Sequence, residues 1–137
     1  MVKANSIWVM LDSEKGRPTL VTPEEAEVYG TAEPLEMEYA PRKIRIPKEE
    51  GQVHEKIRIQ EFHLDTNHHV NNAQYVRLAS SFVPSEREVH ELRVEYRTQA
   101  VLGDEVIPEV YLSETQCLVA LKDTQGGVYA VVQFLYA

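Results

Sequence analysis

The chain has 137 residues, of which 43% are hydrophobic and 26% charged, a composition typical of one ordinary globular domain with its own core. Its formal net charge of −8 argues against non-specific attraction to nucleic acid or to an anionic membrane surface. The single cysteine, Cys117, excludes an internal disulfide. Because the sequence also lacks a signal-peptide pattern and a membrane-spanning apolar run, we expect a cytoplasmic protein.

Residues 1–30 predict one strand followed by one short helix. The apolar run at residues 7–11 predicts a buried strand. Thr22 is a good N-cap, proline follows at the first helical position, and Glu25 can complete a capping box. The helix is expected to end at Gly30.

Residues 31–54 contain three prolines and many charges, which is typical of an extended linker, with one edge strand expected at residues 43–46. Six basic residues lie between positions 41 and 60 against three glutamates, on a chain that is otherwise acidic: Arg42, Lys43, Arg45, Lys48, Lys56 and Arg58. This basic island could dock an acidic partner, although such a run more often forms a solvated strand face.

Residues 55–137 predict one helix among strands. Residues 56–62 begin as an alternating strand, and a helix follows that Asn71 or Asn72 can cap and Pro84 stops. The apolar face predicted for this helix comprises Ala73, Val76, Ala79 and Val83.

Four further strands are predicted at residues 90–97, 106–114, 116–122 and 128–136, the last two forming a hairpin. Pro108 indicates a bulge or an edge in the second of them. A single helix among consecutive antiparallel strands predicts an α+β domain whose sheet wraps around that helix.

A polar cluster lies immediately before this helix. On an extended segment, Asp65, Asn67 and His69 occupy alternate positions and would project to the same side. They would then place an acid, an amide and a proton-transfer group within reach of one substrate atom. Histidine is the natural base for activating water, and a carboxylate can orient its ring. Hydrolysis of an activated acyl group needs such a base, together with donors for the oxyanion, which backbone N–H groups at the start of the helix could supply.

The run Asp65-x-Asn67-x-His69-Val70-Asn71-Asn72-x-x-Tyr75 resembles the signature of the acyl-ACP thioesterases of plants and bacteria. Glu95-Tyr96-Arg97 and Gly103-Asp104 are similar to the strand and turn that follow in that family. Residues 6–24 resemble the end of its first half, where a tryptophan-bearing strand precedes a proline-led helix.

The resemblance implies a hot-dog fold, an antiparallel sheet wrapped around one main helix, in residues 55–137. Residues 1–30 would then be a remnant of a first hot-dog domain. It also implies hydrolysis of a fatty acyl thioester, with acyl carrier protein or acyl-CoA as partner and with no metal or organic cofactor. Because an isolated hot-dog domain leaves a sheet edge open, we expect a homodimer.

By resemblance, Asp65, Asn67 and His69 occupy the family's catalytic positions. The family typically has a catalytic glutamate two residues after the arginine of Glu-Tyr-Arg, and here that position is Gln99. Glutamine can orient water but cannot accept its proton, so activity would rest on His69 or Asp65. This substitution favours the rival hypothesis of a non-catalytic acyl-binding domain.

Three other chemistries fit the sequence less well. His63, Asp65 and either His69 or His90 could mimic an iron site, but the dense asparagines would then have no role. No Gly-x-Ser-x-Gly nucleophile elbow is present. Cys117 lies in a predicted buried strand, where a small hydrophobic role is expected rather than a nucleophilic one.

Overall fold

The computed structural model describes residues 2–137 and contains two compact units, one ending at Ala40 and the other running from Pro41 to Ala137. In chain order, the helices and strands are α1 (Pro23–Tyr29), β1 (Gln52–Val53), β2 (Ile57–Arg58), α2 (Asn72–Ser80), β3 (Val89–Tyr96), β4 (Glu105–Leu112), β5 (Gln116–Lys122) and β6 (Val128–Tyr136). A single 3-10 turn at Glu61–His63 precedes α2. Among residues 2–137, no helix combines the length and the apolar character needed to span a bilayer.

Helix α1 of the first unit begins as the sequence predicts. The Glu25 N–H donates to Thr22 Oγ1 at 3.3 Å, and Glu25 Oε2 accepts from the Thr22 N–H at 2.8 Å, which completes the capping box. Gly30 ends the helix with a φ of 69°, a left-handed conformation that glycine adopts without steric cost. This prediction is confirmed.

The buried strand predicted at residues 7–11 is wrong. Within residues 2–40 the only β-pairing is the isolated bridge between Leu11 and Pro18. Trp8 is 83% exposed and Ile7 is 66% exposed. An apolar run becomes a strand only where a neighbouring strand takes up its backbone groups, and these residues have none in their own unit.

The second unit is built on an antiparallel sheet in the order β1-β4-β5-β6-β3, with β2 also paired to β4. Helix α2 packs against β5 and β6. One main helix on an antiparallel sheet confirms the predicted α+β class, and the predicted bounds of β5 and β6 are those observed.

Pro108 explains why the outer partner of β4 is broken. Proline has no N–H to donate, so a strand alongside it loses a ladder hydrogen bond. Strand β1 pairs with β4 on one side of Pro108 and β2 pairs on the other. The strand predicted at residues 56–62 is observed only at Ile57–Arg58, where the pairing ends at Glu105, the first residue of β4, and the 3-10 turn follows.

The main core lies between α2 and the sheet. Helix α2 buries Tyr75 and Ala79, whereas Ala73 is exposed, so the buried face differs from the predicted one. The helix ends at Ser80, before Pro84, and Phe82 and Val83 pack against the core from the turn that follows. The sheet residues of this core are mainly Val106, Val110, Cys117, Val119, Leu121, Ala130, Val132 and Phe134.

The opposite face of the sheet is covered by residues 41–47. Ile44 is 4% exposed and packs against Leu118 and Val131. No strand forms at residues 43–46, because side chains hold this segment instead: the Ile44 N–H donates to Glu95 Oε2 at 2.8 Å, and its carbonyl oxygen accepts from Arg97 Nη2 at 3.1 Å. Residues 41–54, which the sequence indicates as linker, thus lie in the second unit.

Candidate active site

The polar cluster forms a tight loop closed by backbone pairing. Leu64 and Val70 form an antiparallel bridge, and the Asp65 N–H donates to the His69 carbonyl oxygen at 2.8 Å. The His68 N–H donates to the Asp65 carbonyl oxygen at 3.0 Å, and His68 has a φ of 61°. A left-handed residue after a turn is a common way to close a short hairpin loop. The extended segment expected here is therefore wrong.

Asp65 organises this loop through its side chain. Its Oδ1 accepts from the Asn67 N–H at 2.8 Å and from the His69 N–H at 3.3 Å. Such bonds from an aspartate to the backbone two and four residues ahead stabilise a turn. Among residues 2–137, no hydrogen bond joins the Asp65 carboxylate to the His69 ring. The Asn67 side chain is exposed, and within the same residues it makes no hydrogen bond.

Asn71 connects the loop to α2. Its Oδ1 accepts from the Ala73 N–H at 2.9 Å, so Asn71 is the N-cap of α2. The sequence predicted either Asn71 or Asn72 in this position. Its own N–H donates to the His63 carbonyl oxygen at 2.9 Å, which ties the start of the helix to the 3-10 turn. The cap therefore fixes the entry of the loop into the helix.

The segment that carries Gln99, thirty residues further along the chain, pairs with the same loop. His69 bridges to Val101, and the Val70 N–H donates to the Ala100 carbonyl oxygen at 2.9 Å. Val70 and Ala100 are buried, whereas Gln99 is exposed and His69 is half-buried. The side chains of Val70 and Ala100 therefore belong to the core, whereas that of Gln99 is open to solvent and that of His69 is partly so.

This second segment is held by two tyrosines and an aspartate, none of which was predicted as a site residue. Tyr75 Oη accepts from the Ala100 N–H at 2.9 Å. Asp104 Oδ2 accepts from the Val101 N–H at 3.0 Å and from the Tyr129 hydroxyl at 3.1 Å. Burial, and then the Asp104 carboxylate, raise the pKa of Tyr129 to about 12, and burial raises that of Tyr75. The sequence signals were the tyrosine that closes the motif and the Gly-Asp turn.

The proposed iron ligands are not assembled. His63 is 6% exposed, and its Nδ1 accepts from the Gln60 N–H at 2.9 Å, so that nitrogen is already engaged. Across residues 2–137, no three His, Cys, Asp or Glu side chains form a group that could hold a metal ion. His90 lies on β3 and is exposed.

Cys117 is fully buried, as predicted, and burial raises the pKa of its thiol to about 11. Its Sγ lies 3.8 Å from the Phe82 carbonyl oxygen. A thiol that resists ionisation is a poor nucleophile. Cys117 therefore belongs to the core.

An open groove of about 670 Å³ lies beside the 3-10 turn that precedes the loop. Residues 58–62 line one side, and Leu102 and Gly103 line the other. Phe62 is 69% exposed and Leu102 is 54% exposed, so the groove offers apolar surface next to the Val101 that pairs with His69.

An antiparallel sheet packed against one main helix, with a histidine-bearing loop at the start of that helix, defines the hot-dog class of thioesterase folds. Residues 45–136 match the family model described as the acyl-ACP thioesterase C-terminal domain, and the chain belongs to that family. Both the expected fold and the resemblance are thereby confirmed.

Three solved structures show the same fold. An acyl-ACP thioesterase from Bacteroides thetaiotaomicron VPI-5482 is 19% identical, with a TM-score of 0.77 over 93% of this chain and 53% of that one. The 12:0-ACP thioesterase from Umbellularia californica is 15% identical, with a TM-score of 0.75 over 93% and 52%. A putative oleoyl thioesterase from Lactobacillus plantarum is 20% identical, with a TM-score of 0.71 over 94% and 53%. This chain thus spans about half the length of each, and no curated protein sequence matches it significantly.

Proposed function

We propose that the protein hydrolyses a fatty acyl thioester, releasing a free fatty acid and a carrier thiol in fatty acid biosynthesis. The observation that supports this proposal is the pairing of the loop that carries His69 with the segment that carries Gln99. Membership of the acyl-ACP thioesterase family supports the choice of an acyl thioester as substrate.

In this reaction His69 is the general base. Water attacks the thioester carbonyl carbon while the imidazole takes its proton, and the carbonyl oxygen becomes an oxyanion. The carbon–sulfur bond then breaks, and the imidazolium returns the proton to the departing thiolate. Gln99 and Asn67 orient the water or the carbonyl oxygen through their amides.

Asp65 acts mainly through the backbone in this scheme. Its carboxylate holds the N–H groups of Asn67 and His69, so it fixes the loop that carries the base. At the start of α2, Asn71 Oδ1 accepts a hydrogen bond from the Ala73 N–H. Among residues 2–137, the Asn72 N–H makes no hydrogen bond. That N–H is a candidate donor to the oxyanion.

The experiment compares thiol release from acyl-ACP and acyl-CoA by the wild type, His69→Ala and Gln99→Glu. His90→Ala is the matched control, because His90 is an exposed histidine on β3. We expect His69→Ala to lower kcat by roughly 10²–10⁴-fold, His90→Ala to leave it unchanged, and Gln99→Glu to raise it. Equal background rates in all four proteins would refute the proposal.

Gln99 and the engagement of Asp65 with the backbone favour a second candidate, a non-catalytic acyl-binding domain. In that case neither residue removes a proton from water, and the wild type binds acyl thioesters without turnover. If Gln99→Glu alone were active, the protein would be an inactivated enzyme.

Acyl carrier protein is the proposed carrier, with acyl-CoA as the substitute. The basic island of residues 42–58 carries exposed Arg42 and Arg45, whereas Lys56 is paired to Glu105 at 2.7 Å. An acidic carrier would meet the unpaired arginines first. Joint replacement of Arg42 and Arg45 by glutamate would then raise KM for acyl-ACP and leave KM for a neutral acyl-pantetheine unchanged.

We also propose a homodimer. Strand β3 pairs with β6 on one side only, and Leu92 and Tyr96 on it are 47% and 44% exposed. An open edge with apolar side chains is a natural site for strand addition. Light scattering after size exclusion should give twice the chain mass, and a monomer at micromolar concentration would contradict the proposal.

A further inference from the structure

The segment from Arg97 to Asp104 lies outside any strand, yet six of its eight backbone N–H groups donate hydrogen bonds. The N–H groups of Arg97 and Thr98 donate to the Tyr129 carbonyl oxygen at 2.8 and 3.1 Å. The Gly103 N–H donates to the Ile59 carbonyl oxygen at 3.1 Å. Both ends of the segment are thus fixed to the rest of the unit.

The middle of the segment is held by side chains. Ala100 is fully buried, and its N–H finds its partner in Tyr75 Oη at 2.9 Å. The next N–H, that of Val101, donates to Asp104 Oδ2 at 3.0 Å, and the Tyr129 hydroxyl donates to the same oxygen at 3.1 Å. The N–H groups of two consecutive residues, Ala100 and Val101, are therefore held in place. Tyr75 of α2 binds the first, and Asp104, supported by Tyr129 of β6, binds the second.

Gln99 lies between the bonded N–H groups of Thr98 and Ala100. Among residues 2–137, neither its N–H nor its side chain makes a hydrogen bond, and the side chain is exposed. An exposed side-chain amide without a partner is available to a ligand, and the bonded N–H groups of Thr98 and Ala100 on either side determine where it lies.

We infer that Tyr75, Asp104 and Tyr129 are positioning residues, which set Gln99 against His69 by clamping the Ala100 and Val101 amides. The coupling is direct, because Ala100 gives its N–H to Tyr75 while its carbonyl oxygen accepts from Val70, the residue after His69. A shift of Ala100 moves both sides of the site. This inference rests on the proposed hydrolysis for its kinetic test and on geometry alone for its spectroscopic test.

The kinetic test uses Tyr75→Phe, which removes the hydroxyl and keeps the ring in the core. Tyr136→Phe is the matched control, because Tyr136 is also buried and among residues 2–137 its hydroxyl has no hydrogen-bond partner. Displacing a reacting group by an ångström can cost on the order of 100-fold in rate, so we expect kcat of Tyr75→Phe to fall by roughly 10- to 100-fold with KM within about twofold. An unchanged kcat, or a rise in KM alone, would overturn the inference.

The spectroscopic test does not depend on turnover. In amide and imidazole NMR spectra, Tyr75→Phe should shift or split the Gln99 side-chain amide and the His69 ring signals, whereas Tyr136→Phe should leave them in place. If the wild type proves inactive, the proposed function fails, and this test still decides the positioning role. Unchanged Gln99 and His69 signals would overturn it.

Tyr129→Phe covers the case in which Tyr75→Phe does not fold. It removes only the hydroxyl that supports Asp104 and retains the carbonyl oxygen that holds Arg97 and Thr98. We expect the same NMR signals to move by a smaller amount and kcat to fall by about two- to fivefold, near what one neutral hydrogen bond is worth. A normal spectrum together with a normal kcat would contradict the inference.

Discussion

The Val70 N–H donates to the Ala100 carbonyl oxygen at 2.9 Å, and with the bridge between His69 and Val101 this hydrogen bond joins the histidine-bearing loop to a segment thirty residues away in sequence. Both residues are buried, so the bond is protected from water. It connects the loop that carries His69 to the segment that carries Gln99.

Asp65 should matter to stability through its acceptor oxygen. Asp65→Ala removes the bonds to the Asn67 and His69 N–H groups and should lower the free energy of unfolding by about 1–2 kcal/mol. Asp65→Asn keeps an oxygen at that position and should lose less than half as much. Urea unfolding measures both, and equal losses would show that the loop depends on the charge rather than on the turn.

Ile44 should anchor residues 41–47 to the sheet. Ile44→Ala leaves a cavity over Leu118 and Val131 and should cost about 2–4 kcal/mol of unfolding free energy. The exposed neighbour Arg45 is the control, since Arg45→Ala should change stability by less than about 0.5 kcal/mol. Chemical denaturation measures the free energy of unfolding of both variants. Similar small decreases in both would mean that the segment is not part of the folded unit.

Glu109 should make stability depend on pH. Burial acts to raise its pKa, but hydrogen bonds from Lys122, Tyr111 and the Gly51 N–H hold that pKa below its ordinary value. Since the folded pKa is the lower one, the stabilisation is complete above the unfolded value, about 4.3, and is lost as pH falls through the folded value.

Glu109→Gln should therefore destabilise the protein by about 1–3 kcal/mol at pH 7, and the difference from wild type should shrink below about pH 4. Thermal or urea unfolding across that range measures it. A difference that does not vary with pH would assign the loss to packing rather than to charge.

Cys117 should be unreactive in the native protein. With its pKa raised to about 11, the thiol has almost no thiolate at pH 8. Labelling by a disulfide reagent should be slow at pH 8 and reach its ordinary rate once the protein is unfolded in urea, where thiols ionise near pH 8.5. Rapid stoichiometric labelling of the folded chain at pH 8 would contradict its assignment to the core.

Local patterns in the sequence were sufficient for the elements that depend on local chemistry. The Thr22 capping box, the Asn71 cap and the β5–β6 hairpin follow from a few adjacent residues, and all three form as predicted. In these cases the hydrogen bonds that decide the structure join residues near one another in the chain.

Features that depend on distant partners could not be predicted. Residues 7–11 have strand composition but no strand beside them in their unit. The loop at Asp65 follows from a left-handed His68, which alternation cannot indicate. The bond from Ala100 to Tyr75 spans twenty-five positions and depends on how α2 lies against the sheet.

Pro108 has a consequence for how the second unit can misassemble. On its side of the sheet, the backbone of β4 meets two strands of only two residues each, separated at the proline. A foreign chain has no continuous ladder to extend there, which is how natural sheets resist fibril growth. The eight residues of β3 offer the only long free edge within residues 41–137, so a productive partner and an aggregating one would compete for the same strand.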